Sequence, residues 1–241
     1  MNCYGPLAHW YNRLTEDVPY GDFLNFYEKE FSEDGGEFHL ILDLCCGTGR
    51  LTCLMASKGY DMIGVDASAD MLMEARSYAM ENGLDILFLN QEAAELDLYG
   101  TVDACVCSLD SINYISRGEL NSLFSRLRYF VRPGGLFIFD IKSPEWIESM
   151  DGSTYVDETE DVLCLWRADY DSVEKSICYG MDIFSRAGKY WKRDSESHIE
   201  FAYSPEDLQK SLEGNNFTVK KITGDCPQGN LGRLFLVCKR I

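Results

Sequence analysis

Short apolar runs alternate along the chain with longer stretches in which apolar residues recur every three or four positions. Leu40–Leu44 (LILDL) is one such run, and it passes directly into Cys46-Gly47-Thr48-Gly49, the pattern of a buried strand entering a tight glycine turn. From Arg50 to Lys58 the apolar positions fall at helical spacing, Gly59 closes the segment, and Met62–Val65 forms a second apolar strand ending at Asp66. This is a strand–helix–strand unit. Ser68 is placed to cap a further helix, on which Met71, Leu72, Ala75, Tyr78 and Ala79 share a face before Asn82-Gly83 stops it. Further strands are predicted near Ile86–Leu89, Ala104–Ser108 and Leu136–Ile141, around a helix opened by the capping-box spacing Ser116-Arg117-Gly118-Glu119. Such alternation predicts an α/β fold with a doubly wound, mostly parallel sheet.

After Pro144 the texture changes. Glu160–Tyr170, Ser176–Phe184 and Tyr190–Phe201 are rich in aromatic and β-branched residues, fit no helical period, and are separated by polar turns, which predicts an inserted antiparallel β meander. Trp166, Tyr170, Tyr179, Phe184 and Trp191 are expected mainly to pack that sheet, with a few lining a pocket. His198, between Glu196 and Glu200, is expected exposed or salt-bridged on a polar strand face. Ser204-Pro205-Glu206-Asp207 then opens a helix that Gly214 closes, and strands at Phe217–Thr223 and Leu234–Lys239 return the chain to the sheet. Three parts are expected: 1–144 as N-terminal cap helices with a cofactor-binding core, 145–203 as the inserted β region, and 204–241 completing the core sheet.

Composition narrows the partners. The 241 residues are 46% hydrophobic and 26% charged, as in a globular protein, and 40 acidic against 22 basic side chains give a formal charge of −18. That field repels polyphosphates and anionic lipid, so nucleic acid is an unlikely partner and no membrane association is expected. No segment approaches the run of about 18 apolar residues that a membrane span requires, and the opening lacks a leader pattern. The ten cysteines form no C-x-x-C pair, so no metal site is expected; reduced thiols in a cytoplasmic protein fit best. A monomer and a homodimer stay equally open.

The glycine turn bears on the ligand. A turn of this kind after the first strand brings backbone N–H groups and a helix N-terminus to the sheet edge where such folds bind cofactors. The dinucleotide pattern G-x-G-x-x-G fails, because counting from Gly47 its third glycine falls on Thr52. Asp43 beside the turn would repel a pyrophosphate and attract a cation, while Asp66 at the end of the second strand is placed to accept hydrogen bonds from ribose hydroxyls. S-adenosylmethionine, with its sulfonium and ammonium, accounts for both carboxylates.

Asp43-Leu44-Cys45-Cys46-Gly47-Thr48-Gly49 resembles the first motif of the class I S-adenosylmethionine-dependent methyltransferases, whose fold is Rossmann-like. Val65-Asp66-Ala67-Ser68 with Met71 resembles the second motif, in which the acid holds the ribose, and Asn90-Gln91-Glu92-Ala93 stands where the family surrounds the adenine. Cys107-Ser108-Leu109-Asp110-Ser111-Ile112-Asn113-Tyr114 is similar to the fourth-strand motif of a bacterial subgroup acting on small molecules. Arg132-Pro133-Gly134-Gly135 matches the loop before strand five. His9-Trp10-Tyr11-Asn12-Arg13-Leu14 through Asp17-Val18-Pro19-Tyr20 resembles that subgroup's cofactor-capping helix pair.

The resemblance implies a cofactor site of Tyr11, Asp43, Cys45, Gly47, Gly49, Asp66, Ala67, Met71, Glu92, Ala93, Ser108 and Asp110. Cys45 replaces the family's usual glycine, so its backbone is expected to avoid positive φ. The implied reaction is in-line displacement of the sulfonium methyl by a lone pair of a small-molecule acceptor, with transfer to tRNA or protein, or a non-catalytic cofactor-binding role, as alternatives. Alignment and exclusion of water suffice for a neutral amine; for a hydroxyl or ammonium acceptor, Asp110, Tyr11 and His198 are the candidate bases. Arg193, Glu196 and His198 are expected to supply polar contacts to the acceptor.

Overall fold

The computed structural model describes residues 4–241. Its first half contains α1 (Ala8–Leu14), α2 (Tyr20–Asp34), β1 (Leu40–Leu44), α3 (Arg50–Ser57), β2 (Asp61–Asp66), α4 (Ala69–Glu81), β3 (Leu87–Asn90), β4 (Val102–Cys107) and α5 (Arg117–Phe130). There follow β5 (Val131–Lys142), α6 (Pro144–Ser149), β6 (Thr154–Glu158), β7 (Val162–Asp171), β8 (Ser176–Ala187), β9 (Tyr190–Phe201), α7 (Pro205–Gly214), β10 (Phe217–Thr223) and β11 (Arg233–Arg240). A seven-stranded sheet has the order β10-β11-β5-β4-β1-β2-β3, with β1 to β5 parallel and β11 antiparallel to both its neighbours. The order reverses at β1, which opens a crevice beyond the carboxyl ends of β1 and β4.

The period of two along each strand divides the core. Leu42, Leu44, Cys105, Phe137 and Phe139 face α5 and α7, whereas Ile41, Ala104, Val106 and Ile138 face α2 and α3. The N-terminal helices therefore differ in role. Phe23 and Tyr27 of α2 are fully buried on the sheet, so α2 is core apart from its first residue, Tyr20, which reaches the cavity; α1 lies over the crevice, with Leu7 beside it packed on the second sheet. Most local signals hold: Ser68 Oγ accepts the Met71 N–H and Ser204 Oγ accepts the Asp207 N–H. At α5 the Ser116–Glu119 pair closes side chain to side chain, and Ser116 makes no side-chain cap.

The insertion departs from the three expected strands. It is a four-stranded antiparallel sheet, β6-β7-β8-β9, preceded by α6. β6 shows no alternation because all five of its residues are exposed, and it is held as a strand by pairing to β7. α6 carries a legible start, since Ser143-Pro144-Glu145 repeats the signature at Ser204, with Ser143 Oγ accepting the Trp146 N–H at 3.2 Å. The nine described cysteines are free thiols. Among the described residues no helix is long and apolar enough to cross a membrane.

Candidate cofactor and acceptor cavity

Beyond the carboxyl ends of β1 to β4 lies a cavity of about 430 Å³. Its floor is the glycine turn. Gly47 (φ +54°) opens onto free space, with nothing within 4 Å of where a side chain would begin, so the backbone is exposed to the cavity there. Gly49 (φ +69°) is not part of the wall: a Cβ there would stand 3.0 Å from Ala75 and 3.3 Å from Phe88, so its glycine serves the packing of α3 against α4 and β3. Cys45 corrects the sequence expectation. Its φ is +58°, a left-handed conformation that costs an ordinary residue about 1–2 kcal/mol, and the next residue fixes the turn, with Cys46 N–H donating to Val65 O. Cys45 lines the cavity without being glycine.

Two carboxylates meet this floor. Asp66 accepts the Gly47 N–H on Oδ2 and the Ser68 N–H on Oδ1, each at 2.8 Å, and thereby fixes the turn. Burial raises its pKa, those two N–H groups oppose the rise, and Glu92 adds to it. Asp43 is buried and accepts the Thr52 hydroxyl at 2.6 Å; burial pushes it up to about 7 against that hydrogen bond, with Asp66 reinforcing the rise. Ala67, Met71, Glu92 and Ala93 continue the wall on the β2–β3 side, and Ser108 lies on the β4 side.

A strap, residues 4–15, covers the cavity. Thr48 Oγ1 donates to Asn12 Oδ1 (2.6 Å), Arg50 to Thr15 O (3.3 Å) and Ser68 Oγ to Tyr4 O (3.0 Å), which ties the strap to the floor. Its other attachment is Glu196 on β9, which accepts the N–H groups of Tyr4 (3.0 Å) and Leu7 (2.8 Å). Tyr4 and Tyr11 thus become wall residues. Burial raises the Tyr11 phenol well above its usual range, so it stays protonated at neutral pH.

The other two candidate bases are not in the wall. Asp110, at φ +56°, turns its carboxylate into an ion cluster with Lys142 (2.9 Å) and Arg233 (2.8 Å), while its neighbours Ser108, Leu109 and Ser111 face the cavity. Burial works to raise its pKa, but those two cations outweigh it and hold Asp110 at about 2. His198 is buried, with Nε2 3.0 Å from Glu196 and its ring centroid 4.4 Å from that of Tyr4. The face carrying positions 196, 198 and 200 turns inward onto the strap, and Ser197, Ile199 and Phe201 line the cavity instead. Arg193 binds Asp182. None of the five aromatic residues singled out in the insertion reaches the wall; Trp191 is exposed and Tyr179 buried within the sheet. Sequence reasoning also missed Arg50, Tyr20 and Tyr114. Arg50 directly follows the glycine turn and Tyr114 ends the fourth-strand motif, so proximity to those motifs was the available signal.

Comparison with known proteins bears on this geometry. Residues 41–135 match the family model described as a methyltransferase domain. YqeM of Bacillus subtilis (strain 168), which carries a methyltransferase name, is 30% identical over 98% of this chain and 97% of its own length. A crystal structure of an S-adenosylmethionine-dependent methyltransferase from Clostridium acetobutylicum superposes with a TM-score of 0.86 at 28% identity, covering 99% of each chain. A ubiquinone biosynthesis O-methyltransferase of Rickettsia conorii is 28% identical over 53% of this chain and 41% of its own length.

Proposed function

The chain belongs to the class I S-adenosylmethionine-dependent methyltransferases, with S-adenosylmethionine as its cofactor, and from that premise we propose that it methylates a small molecule held in the same cavity. The observation that carries this reading is the roof. The strap and β9 close over the glycine turn, leaving an acceptor space bounded by side chains rather than an open face on which a macromolecule would lie. The Rickettsia conorii relative, whose name places its chemistry in ubiquinone biosynthesis, is consistent with a small acceptor.

The residues present suit the cofactor. The open space above Gly47 is a cradle that any side chain there would enter, and Asp66, with two N–H groups accepted, retains lone pairs for ribose hydroxyls. Ala67, Met71 and Ala93 offer apolar surface beside Glu92 for the adenine, and Asp43 supplies negative charge beneath the turn for a cationic ligand. When bound, S-adenosylmethionine supplies a methyl group activated by positive sulfur. The chain supplies the rest: Asp66 sets the turn, the Tyr4–Tyr11 strap excludes water, and Ser108, Ser111 and the β9 wall orient the acceptor. Incubating the protein with methyl-labelled cofactor and a metabolite extract is expected to label a small molecule. Label appearing only in protein or tRNA would refute the proposal.

A further inference from the structure

The acceptor end of the cavity backs onto a buried cluster that the proposed function leaves unused. Asp110, Asp140 and Glu200 are all at most 6% exposed, and they share two cations, Lys142 and Arg233. Lys142 lies 2.9 Å from Asp110 and 3.3 Å from Glu200; Arg233 bridges Asp110 and Asp140. Three carboxylates against two cations leave one negative charge in excess. Hydroxyls lie between this cluster and the cavity: Tyr4 donates to Tyr114 at 2.9 Å, and the Tyr114 hydroxyl stands beside Glu200. Both tyrosines line the cavity, beside Tyr11 and Phe201. Among the described wall residues the one cation is Arg50, on the far side of the glycine turn under Tyr20.

We propose that the acceptor is an amine, bound as its ammonium ion against the Tyr4, Tyr11 and Phe201 rings and relieved of one proton through the Tyr4 and Tyr114 hydroxyls to Glu200. This deepens the small-molecule reading and rests on it. Aromatic faces and an under-neutralised carboxylate attract a cation, and an acidic acceptor would meet no countercharge at this end. An ammonium has no lone pair to donate and is repelled by the positive sulfur, so a proton must leave before attack. The ammonium proton passes to Tyr4 Oη, the Tyr4 proton to Tyr114 and the Tyr114 proton to Glu200. The amine nitrogen then uses its lone pair to form the bond to the methyl carbon, the carbon–sulfur bond breaks with its pair on sulfur, and a methylammonium product results. After release, Glu200 returns the proton along the same hydroxyls to water. Tyr4 is the catalytic residue here; Tyr114 and Glu200 act through it as positioning residues. Burial raises the Glu200 pKa, Lys142 opposes that and Asp110 reinforces it, which makes Glu200 a better proton acceptor than an exposed glutamate.

The test uses three probes of one shape, benzylamine, benzyl alcohol and benzoate, titrated by calorimetry into the full chain saturated with S-adenosylhomocysteine. Benzylamine is expected to bind roughly tenfold or more tighter than benzoate. Glu200→Gln keeps the shape and can still accept the Tyr114 hydroxyl; it should weaken benzylamine by roughly five- to tenfold and leave benzyl alcohol and S-adenosylhomocysteine unchanged. A merely structural Glu200 would shift all three probes together. Benzoate binding as tightly as benzylamine, or no benzylamine binding at all, overturns the proposal in the wild-type chain alone, even if Glu200→Gln does not fold. Failure to bind S-adenosylhomocysteine would instead strike at the parent reading.

Discussion

Asp43→Asn separates what the first-motif acid does for the fold from what it does for the ligand. With the Asp43 pKa raised from 3.8 to about 7 by burial, ionising this side chain in the ligand-free protein costs about 4 kcal/mol more than in the unfolded chain. Because the folded-state value is the higher one, the relative stability conferred by the protonated group is complete below pH 3.8 and is lost as pH rises towards about 7. Asparagine cannot ionise and still accepts the Thr52 hydroxyl. The variant should therefore match wild type near pH 4 and exceed it by about 2–4 kcal/mol at pH 8, read by urea denaturation without ligand. Binding should move the other way. The cationic cofactor prefers ionised Asp43, whose charged fraction falls from about 0.9 at pH 8 to about 0.1 at pH 6, so wild-type affinity should drop about tenfold across that range. In Asp43→Asn that pH dependence should flatten and affinity should be lower throughout, and for S-adenosylhomocysteine, which lacks the sulfonium, the wild-type dependence should be shallower. Parallel stability curves for the two proteins, or a wild-type cofactor affinity that is flat between pH 6 and 8, would refute the reasoning.

Three further outcomes are expected. Asp66→Asn, which removes the charge while keeping one oxygen for the turn, should weaken cofactor binding roughly 10- to 100-fold by calorimetry, and unchanged affinity would remove Asp66 from the site. Arg233→Met removes the cation paired with Asp140 and one of the two paired with Asp110, and should cost about 3–5 kcal/mol of folding stability; a loss below about 1 kcal/mol would show the cluster relaxing to solvent. At a formal charge of −18 no binding to duplex DNA or tRNA is expected near physiological salt, and submicromolar, salt-sensitive binding in an anisotropy titration would contradict this.

The helix caps at Ser68 and Ser204, the glycine turn and each strand and helix of the alternation were legible because each is encoded within a short local stretch, where backbone geometry and side-chain period act directly, and the Asp43–Asp66 pair followed because each acid sits at the end of such a strand. Periodicity also showed that β9 has two faces, but not which one looks inward. Glu196, His198 and Glu200 carry the polar character of a solvent face, yet they are drawn inside because Glu196 binds backbone N–H groups of Tyr4, 192 positions away, and Glu200 meets Lys142, 58 positions away. Asp110 likewise reads as a motif acid until Lys142 and Arg233 claim it, and Cys45 holds positive φ although it is not glycine. Local chemistry determined where the cavity floor lies. Long-range pairing decided what roofs it and which side chains face the cavity, because burying a charge depends on partners that only the folded chain brings within hydrogen-bonding distance.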